Sequence, residues 1–200
     1  MQRIAIIVPF SNMAVEYELQ RKINNKNLFY QIFKIDYTTH QKEDEENFYN
    51  ELKANLETLI NKVEVLQFDK IILLCSSLNS KFNFEMLVSI NDIVANFIKE
   101  NNLNYKLVLL SPYSEKTTKE TIKAFHNLGV YFKKVVKKEL LGSINYFNFG
   151  NNIVQFIKEH NLENEKLFVS CTNIPVIDAQ TELKDIVSSN TILIDYLNSI

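Results

Sequence analysis

Glycine, proline and cysteine are scarce in this 200-residue sequence, which contains three glycines, three prolines, two cysteines and no tryptophan. With so few glycines it holds neither a G-x-G-x-x-G pattern nor a Walker A loop, so the nucleotide chemistry that such loops support is disfavoured. The backbone is expected to need each glycine or proline that remains. Neither Cys75 nor Cys171 has a second Cys or a His at ligand spacing, so we expect no metal site.

Charge of one sign and long apolar runs are also missing. The sequence has 22 basic and 24 acidic residues, a formal net charge of -2, whereas a nucleic-acid surface normally shows a basic excess. No apolar run reaches the roughly 18 residues of a membrane span, and the sequence opens on the strand-like Ile4–Val8 without the pattern of a signal peptide. We therefore expect a cytoplasmic protein without a nucleic-acid or membrane partner, and a structural disulfide is disfavoured there.

Short apolar runs rich in β-branched residues predict four buried strands of parallel sheet. These runs are Ile4–Val8, Ile71–Leu74, Leu107–Leu110 and Leu167–Ser170. Weaker strand candidates cover 30–37, 130–136 and 186–187. Apolar residues at spacings of three and four predict helices over 46–65, 84–100, 115–128, 151–160 and 191–200. Strands that alternate with helices predict an α/β fold built on parallel sheets.

The residues that follow the four strands repeat in order. A Pro-aromatic-Ser cluster follows the first strand and the third, and a Cys followed by Ser or Thr ends the second and the fourth. This order predicts an internal duplication into two pseudo-symmetric flavodoxin-like lobes, each a parallel sheet flanked by helices, with the active site in the cleft between them. We expect an N-terminal lobe over 1–104, a C-terminal lobe over 105–190 and a final helix over 191–200 that packs back on the first lobe.

The duplication has a chemical consequence, because ligands of open α/β sheets bind at the carboxyl ends of the strands. Two facing lobes would place Cys75 and Cys171 on opposite walls of one cleft. One thiolate and one thiol can remove a proton from one face of a carbon acid and deliver a proton to the other, or a thiolate can add to an activated double bond. Free cysteines are often only small buried hydrophobes, but two at equivalent strand ends, each followed by hydroxyl residues, favour a catalytic interpretation.

The same residues resemble a known family. Pro9, Asn12 and Glu16 stand at the spacing Pro-x-x-Asn-x-x-x-Glu, which is similar to the N-terminal signature of the maleate isomerase and arylmalonate decarboxylase branch of the Asp/Glu racemase superfamily. The two cysteine motifs of this branch resemble Leu74–Ser77 and Val169–Asn173. The opening of its second lobe is similar to Ser111–Tyr113, and the stretch before its last helix is similar to Val187–Asn190.

The resemblance implies a cofactor-independent enzyme that acts on a small carboxylate. It also implies a homodimer. It implies that Cys75 is the nucleophile or base on one face of the substrate and that Cys171 is the acid or base on the other. The substrate-binding residues that it implies are Ser11, Asn12, Ser76, Ser77, Tyr113, Asn145, Thr172 and Asn173. Asn148 is a rival to Asn145 for the asparagine of the second lobe.

Three functions stay open at this point. The leading hypothesis is a two-cysteine racemase or cis-trans isomerase of a small carboxylate or dicarboxylate. A malonate-type decarboxylase would need one cysteine and an apolar pocket, and a non-catalytic carboxylate-binding relative would keep the fold and the cleft alone. Two acidic residues, Glu16 and Glu18, follow the first strand closely in the sequence. We expect Glu16 to cap or orient the first loop and Glu18 to lie on a solvated helix face.

Overall fold

The computed structural model describes residues 1–39, 44–78, 84–140 and 143–200, with the side chains of 143 and 144 left out. The first half contains β1 (Gln2–Pro9), α1 (Ala14–Lys22), β2 (Leu28–Ile35), α2 (Glu45–Glu64), β3 (Lys70–Leu73), β4 (Leu87–Ser89) and α3 (Ile90–Glu100). The second half contains β5 (Leu107–Ser111), α4 (Glu115–Asn127), β6 (Lys134–Lys137), α5 (Ser143–Glu159), β7 (Lys166–Val169), β8 (Ile186–Ser188) and α6 (Ser189–Ser199). A single 3-10 turn, Ala179–Thr181, precedes β8.

Two four-stranded parallel sheets have the same topology, in the orders β2-β1-β3-β4 and β6-β5-β7-β8. The pairing register is also repeated, since Leu73 lies opposite Ile7 in the first sheet as Val169 lies opposite Leu110 in the second. Each cysteine follows its strand at the same distance, so the two cysteines occupy equivalent positions. The predicted fold, two α/β lobes that each contain a parallel sheet flanked by helices, is confirmed.

The two lobes share a central core. One cluster of buried side chains contains residues of β1 and β3, of β5 and β7, and of the helices α1, α3, α4 and α6 that pack between the two sheets. Its members include Ile4, Ile72, Leu109 and Phe168. Helix α6 contacts both α1 and α3, and α3 also contacts α4. The last helix of each lobe therefore packs on the first helix of the other lobe, which fixes the two sheets relative to each other.

The outer face of each sheet is covered by its own helix. Helix α2 covers the first sheet with an apolar stripe that includes Leu52, Leu56 and Ile60, and α5 covers the second with Ile153 and Ile157. These helices reach the cleft with their N-terminal turns, which gives them a part in the site described below. None of the described helices is long and apolar enough to span a membrane.

Two predicted helices begin elsewhere in the structure. The helix predicted over 84–100 starts at Ile90, because Leu87–Ser89 pairs with β3 as a short strand and the Ser89 hydroxyl caps the helix by accepting a hydrogen bond from the Asn91 amide. The helix predicted over 151–160 starts at Ser143 and runs through Gly150. A glycine inside a helix is unfavourable, and packing explains its presence: a Cβ at Gly150 would lie 2.5 Å from the carbonyl oxygen of Pro175.

Replacement of Gly150 by alanine tests this close packing. Alanine favours a helix by about 1 kcal/mol over glycine, but overpacking against a backbone carbonyl costs about 1–3 kcal/mol. We therefore expect Gly150→Ala to lower the midpoint of urea unfolding. Asn151→Ala, on the exposed side of the same helix, is the matched control and should leave the midpoint unchanged or raise it; a gain of stability in both variants would contradict the packing argument.

Candidate active site

A small cavity lies between the carboxyl ends of β1, β3, β5 and β7. Its volume is about 50 Å³, and Cys75 and Cys171 both line it, with exposed fractions of 6% and 4%. The remaining lining residues are Pro9, Ser11, Asn12, Phe48, Tyr49, Ser76, Ser77, Tyr113, Tyr146, Thr172 and Asn173. The two sulfurs are close enough that a negative charge on Cys75 raises the pKa of Cys171.

The surroundings of the two sulfurs are alike. The backbone amides of Ser77 and Leu78 lie beside the Cys75 sulfur and lower its pKa, and the Ser77 hydroxyl lies 3.7 Å from it. The backbone amides of Asn173 and Ile174 and the hydroxyl of Tyr113 lie beside the Cys171 sulfur and lower its pKa, while the Tyr113 hydroxyl donates its proton to the Ser170 carbonyl at 3.3 Å. Two consecutive N–H groups and one hydroxyl thus lie beside each sulfur, an arrangement that favours a negative charge there.

Burial opposes that charge. Loss of solvent raises the pKa of the Cys75 thiol and raises the pKa of Cys171 to about 12, and the polar groups beside each sulfur offset only part of the effect. Both thiols therefore hold their protons at neutral pH. A thiolate in this cavity must form by transfer of the proton to another group.

Aromatic side chains form much of the remaining wall. Phe48 and Tyr49 come from α2, Tyr113 follows β5 and Tyr146 comes from α5. Burial raises the pKa of Tyr49 and holds that of Tyr113 well above its ordinary value, so both hydroxyls stay protonated. Phe48, Tyr49 and Tyr146 were not predicted, because they lie on the outer helices and no motif at a strand end marks them; the only signal was the helical periodicity that includes Phe48.

Two of the predicted substrate-binding residues contact each other across the lobe boundary. The Asn12 side-chain amide donates to the Thr172 hydroxyl at 3.0 Å, and the Asn12 side-chain carbonyl accepts from the Val15 amide at 3.2 Å. The Thr172 hydroxyl also lies 3.3 Å from the Leu74 carbonyl oxygen. Both residues border the cavity, and their side chains join the lobes.

Asn173 and Ser76 also make structural contacts. The Asn173 side-chain carbonyl accepts hydrogen bonds from the amides of Met13 at 2.9 Å and Ala14 at 3.4 Å, which caps helix α1 from the opposite lobe. The Ser76 hydroxyl lies 3.1 Å from that of Ser189 and is buried. Both residues line the cavity, and these bonds hold the turns that carry the cysteines.

The other predicted residues differ in position. Ser11 and Ser77 are half-buried and line the cavity, and Tyr113 does so with its hydroxyl near Cys171. Asn145 is exposed on α5 and is not among the described residues that line the cavity, and its rival Asn148 is exposed as well. The helix presents Tyr146 to the cavity instead, since consecutive residues of a helix point in different directions.

Glu18 is a correction to the expected solvated position. It is fully buried, and its carboxylate accepts hydrogen bonds from the Val176 amide at 2.6 Å, the Ile177 amide at 2.9 Å and the Asn190 side chain at 2.6 Å. It shares the buried face of α1 with Val15 and Leu19, at helical spacing. Burial raises the pKa of Glu18, and these three hydrogen bonds oppose the shift.

Glu16, in contrast, lies at the surface and orients the first loop as expected. Its carboxylate is 3.1 Å from the Lys34 ammonium, which also donates a hydrogen bond to the Asn12 carbonyl at 2.7 Å. The pair therefore holds the backbone of the loop that follows β1.

Solved structures of other proteins share this architecture. No protein-family model and no curated protein matches the sequence. Among solved structures, a cysteine-to-alanine variant of the maleate isomerase from Pseudomonas putida S16 with maleate aligns with a TM-score of 0.76 at 10% identity, over 96% of this chain and 88% of the other. The Nocardia farcinica maleate cis-trans isomerase, a cysteine-to-serine variant with a covalently bound succinylcysteine intermediate, aligns with a TM-score of 0.74 at 13% identity, over 98% and 91%.

Arylmalonate decarboxylase has the same architecture. Its glycine-to-cysteine and cysteine-to-serine double variant in the liganded form aligns with a TM-score of 0.70 at 12% identity, over 98% of this chain and 91% of the other. The chain thus has the fold of the Asp/Glu racemase superfamily, to which these enzymes belong, and the resemblance inferred from the motifs is confirmed in the fold.

Removal of the Glu18 carboxylate should destabilise the protein. Glu18→Ala removes the acceptor of two backbone amides and one of the two acceptors of the Asn190 side-chain amide, which keeps its bond to the Thr172 carbonyl. One hydrogen bond to a charged group contributes about 1.5–3 kcal/mol. We expect a loss of about 3 kcal/mol in the free energy of urea unfolding. Glu16→Ala removes only a surface ion pair of about 0–1 kcal/mol, and an equal loss in the two variants would show that Glu18 has no special structural role.

Stability should also depend on alkaline pH through Cys171. Its pKa of about 12 in the folded protein exceeds the ordinary value of 9.0, so the unfolded chain loses this proton first and stability falls as pH rises from 9 towards 12. Between pH 8 and pH 10, we expect Cys171→Ser to lose about 1 kcal/mol less than the wild type in urea unfolding. An identical pH dependence in both proteins would mean that the folded protein does not hold this proton more tightly than the unfolded chain.

Proposed function

We propose that this chain is a cofactor-independent racemase or cis-trans isomerase of a small carboxylate, with Cys75 and Cys171 as its two catalytic residues. One observation carries the proposal: two cysteines at equivalent strand ends line one cavity, and each sulfur lies beside two consecutive amides and one hydroxyl that lower its pKa. A purely structural thiol has no need of donors aimed at its sulfur. Their presence at both cysteines favours the use of both.

Racemisation would proceed by one proton transfer on each face of the substrate. The Cys75 thiolate removes the proton from the carbon beside the carboxylate, and the electron pair of the broken C–H bond moves into the carboxylate. The Cys171 thiol then gives its proton to the opposite face, and the electron pair returns to the carbon. The carbon is inverted, Cys75 ends as a thiol and Cys171 as a thiolate, so no external oxidant or reductant is needed.

Isomerisation of a cis double bond would use the same two groups. The Cys75 thiolate adds to one carbon of the double bond, and the electron pair of the π bond moves into the conjugated carboxylate. Rotation about the resulting single bond follows, and cleavage of the C–S bond returns the thiolate and releases the trans isomer. The Cys171 thiol can donate its proton to the second carbon of the double bond after the addition and accept it again when the C–S bond breaks.

The known structures support this second route. The Nocardia farcinica enzyme contains a succinylcysteine intermediate, and the Pseudomonas putida enzyme was captured with maleate. In the present chain Cys171, with a pKa of about 12, suits the role of proton donor. Cys75, whose sulfur lies beside two amides and the Ser77 hydroxyl, suits the role of nucleophile or base.

The cavity favours a small acid. Its volume of about 50 Å³ is well below the roughly 300–1,000 Å³ of sites for drug-sized ligands, which disfavours an acid that bears an aryl ring. No Lys or Arg stands among the described residues that line it. We infer that the hydroxyls of Ser11, Ser77 and Tyr113 and the amides of the two turns hold the carboxylates. The cytoplasmic location and the homodimer remain predictions.

The test is hydrogen exchange and isomerisation in D₂O, followed by ¹H NMR. Aspartate, glutamate, maleate, malate and phenylmalonate are each incubated with the wild type, Cys75→Ala and Cys171→Ala. We expect deuterium incorporation or isomerisation of at least one acid, reduced by about 10²-fold or more in both variants, since each removes a proton-transfer or nucleophilic group.

Other outcomes would each change the proposal. Turnover that depends on one cysteine alone, with loss of carbon dioxide, would replace it with a decarboxylase. No turnover of any of the five acids, with alkylation of both thiols following their ordinary pKa, would replace it with a carboxylate-binding protein.

A further inference from the structure

The residues from Cys75 to Leu78 form a β-turn. The Leu78 amide donates a hydrogen bond to the Cys75 carbonyl at 3.2 Å, which is the bond between the fourth residue and the first that is typical of such a turn. The central peptide of the turn joins Ser76 to Ser77. Its carbonyl accepts a hydrogen bond from the Asn91 side-chain amide at 3.1 Å. Asn91 therefore holds the oxygen of this central peptide.

The second lobe contains the same arrangement. The Ile174 amide donates to the Cys171 carbonyl at 3.4 Å, so the central peptide of this turn joins Thr172 to Asn173. The Thr172 carbonyl accepts a hydrogen bond from the Asn190 side-chain amide at 2.9 Å. The two asparagines occupy equivalent positions, because each is the second residue of the helix, α3 or α6, that follows the last strand of its lobe.

The position of the asparagines relative to the cavity sets the direction of both central peptides. Asn91 and Asn190 belong to α3 and α6, and no residue of either helix is among the described residues that line the cavity. Each asparagine therefore contacts its turn from the side away from the cavity. The C=O and N–H groups of a planar trans peptide point in opposite directions, so the N–H groups of Ser77 and Asn173 face the cavity, which both residues line.

A β-turn has an alternative conformation in which its central peptide points the other way. Type II differs from type I by this inversion, and it requires a positive φ at the third residue. Neither Ser77 nor Asn173 is among the described non-glycine residues with positive φ, so neither turn is of type II. Asparagine tolerates positive φ better than most residues, so the hydrogen bond to the carbonyl is needed most in the second turn.

We propose that Asn91 and Asn190 are positioning residues, each of which fixes the central peptide of one cysteine turn with its N–H group towards the thiol. Each acts on the thiol through the peptide that it holds. The effect on turnover rests on the proposed function, in which both thiols transfer protons or form bonds as thiolates. The orientation of the two peptides does not rest on that function.

The peptides held in this way lie beside the sulfurs. Burial raises the pKa of Cys75 and of Cys171, and the N–H groups of Ser77 and Asn173 act against this rise. The two asparagines have exposed fractions of 4% and 1%, and hydrogen bonds are electrostatically stronger in such surroundings than in water. Donation to the carbonyl also polarises the peptide, which makes its N–H group a stronger donor to a thiolate.

The test measures how fast each thiol reacts with iodoacetamide and needs no substrate. Mass spectrometry of the two cysteine peptides gives a separate rate for Cys75 and Cys171, and the rate below the pKa follows the thiolate fraction. Asn91→Leu keeps a side chain of similar shape and removes the donor. We expect it to slow the alkylation of Cys75 by at least about threefold, the effect of one lost hydrogen bond, and to leave that of Cys171 unchanged. Asn190→Leu should slow Cys171 alone.

The sign of the effect separates positioning from a merely structural role. Loosened packing would expose the thiols and raise both rates, whereas loss of the positioned N–H group lowers one rate. Asn96→Leu makes the same substitution on the exposed side of α3 and should leave both rates at the wild-type value. Asn91→Ala, which leaves more room, should slow Cys75 in the same way and serves as the test if the leucine variant does not fold.

Three results would overturn the positioning role. The first is an unchanged or higher rate at Cys75 in the Asn91 variants together with the same result at Cys171 in the Asn190 variant. The second is equal slowing of both thiols in every variant. The third is slowing of Cys75 by Asn96→Leu as well, since that side chain is remote from the turn.

Turnover separates this proposal from the function on which its effect on activity rests. With an acid that the wild type converts, Asn91→Leu should lower kcat/KM by at least about threefold and move the ascending limb of its pH profile to higher pH, because that limb reports the base of the free enzyme. Selective slowing of alkylation without turnover of any acid would keep the positioning role and reject the isomerase. Cysteine-dependent turnover with unchanged alkylation rates in the variants would keep the isomerase and reject the positioning role.

Discussion

The turn that carries Cys171 is held by the opposite lobe, and the rest of the site depends on this constraint. Asn12 bonds to Thr172, Asn173 caps helix α1, and the buried Glu18 carboxylate accepts from the backbone just beyond the turn. These bonds are buried between two apolar layers, where an unsatisfied polar group is costly. The relative position of the two cysteines is therefore fixed by hydrogen bonds that neither lobe could complete alone.

Two opposing effects act on the thiols held in this way. Removal from solvent raises the pKa of both cysteines, and the amides of each turn lower it again only in part. The balance leaves neutral thiols in surroundings already arranged for a thiolate. Such a site carries no charge at rest but stabilises the negative charge of a thiolate once the thiol proton has been removed, as the isomerase proposal requires.

The sequence predicted the parts of the molecule that follow from local pattern. The four apolar runs formed buried strands of parallel sheets, and the repeated strand ends identified two lobes of the same topology, because strand direction and pairing follow from short apolar segments between helices. Local pattern was wrong at the start of α3, where Leu87–Ser89 joins the sheet instead, and at the start of α5, which continues through Gly150.

The residues of the candidate site also fall into those that the sequence identified and those that it did not. The motifs at the strand ends named both cysteines and most of the residues that surround them, since those residues are consecutive in the chain. They did not identify Tyr49 or Tyr146, which reach the cavity from the outer helices, and they favoured the exposed Asn145 over its buried neighbour. A helix shows which residues share a face, but its rotation about its own axis is set by the surfaces that it packs against.

The sequence by itself thus determined the order of strands and helices, the duplication and the positions of Cys75 and Cys171, because periodicity and strand-end residues are properties of neighbouring positions. Only the tertiary structure decided that Glu18 is a buried acceptor and that Asn12 and Asn173 join the lobes. Each of these contacts joins residues that are distant in the chain, and close packing of the two lobes brings them together.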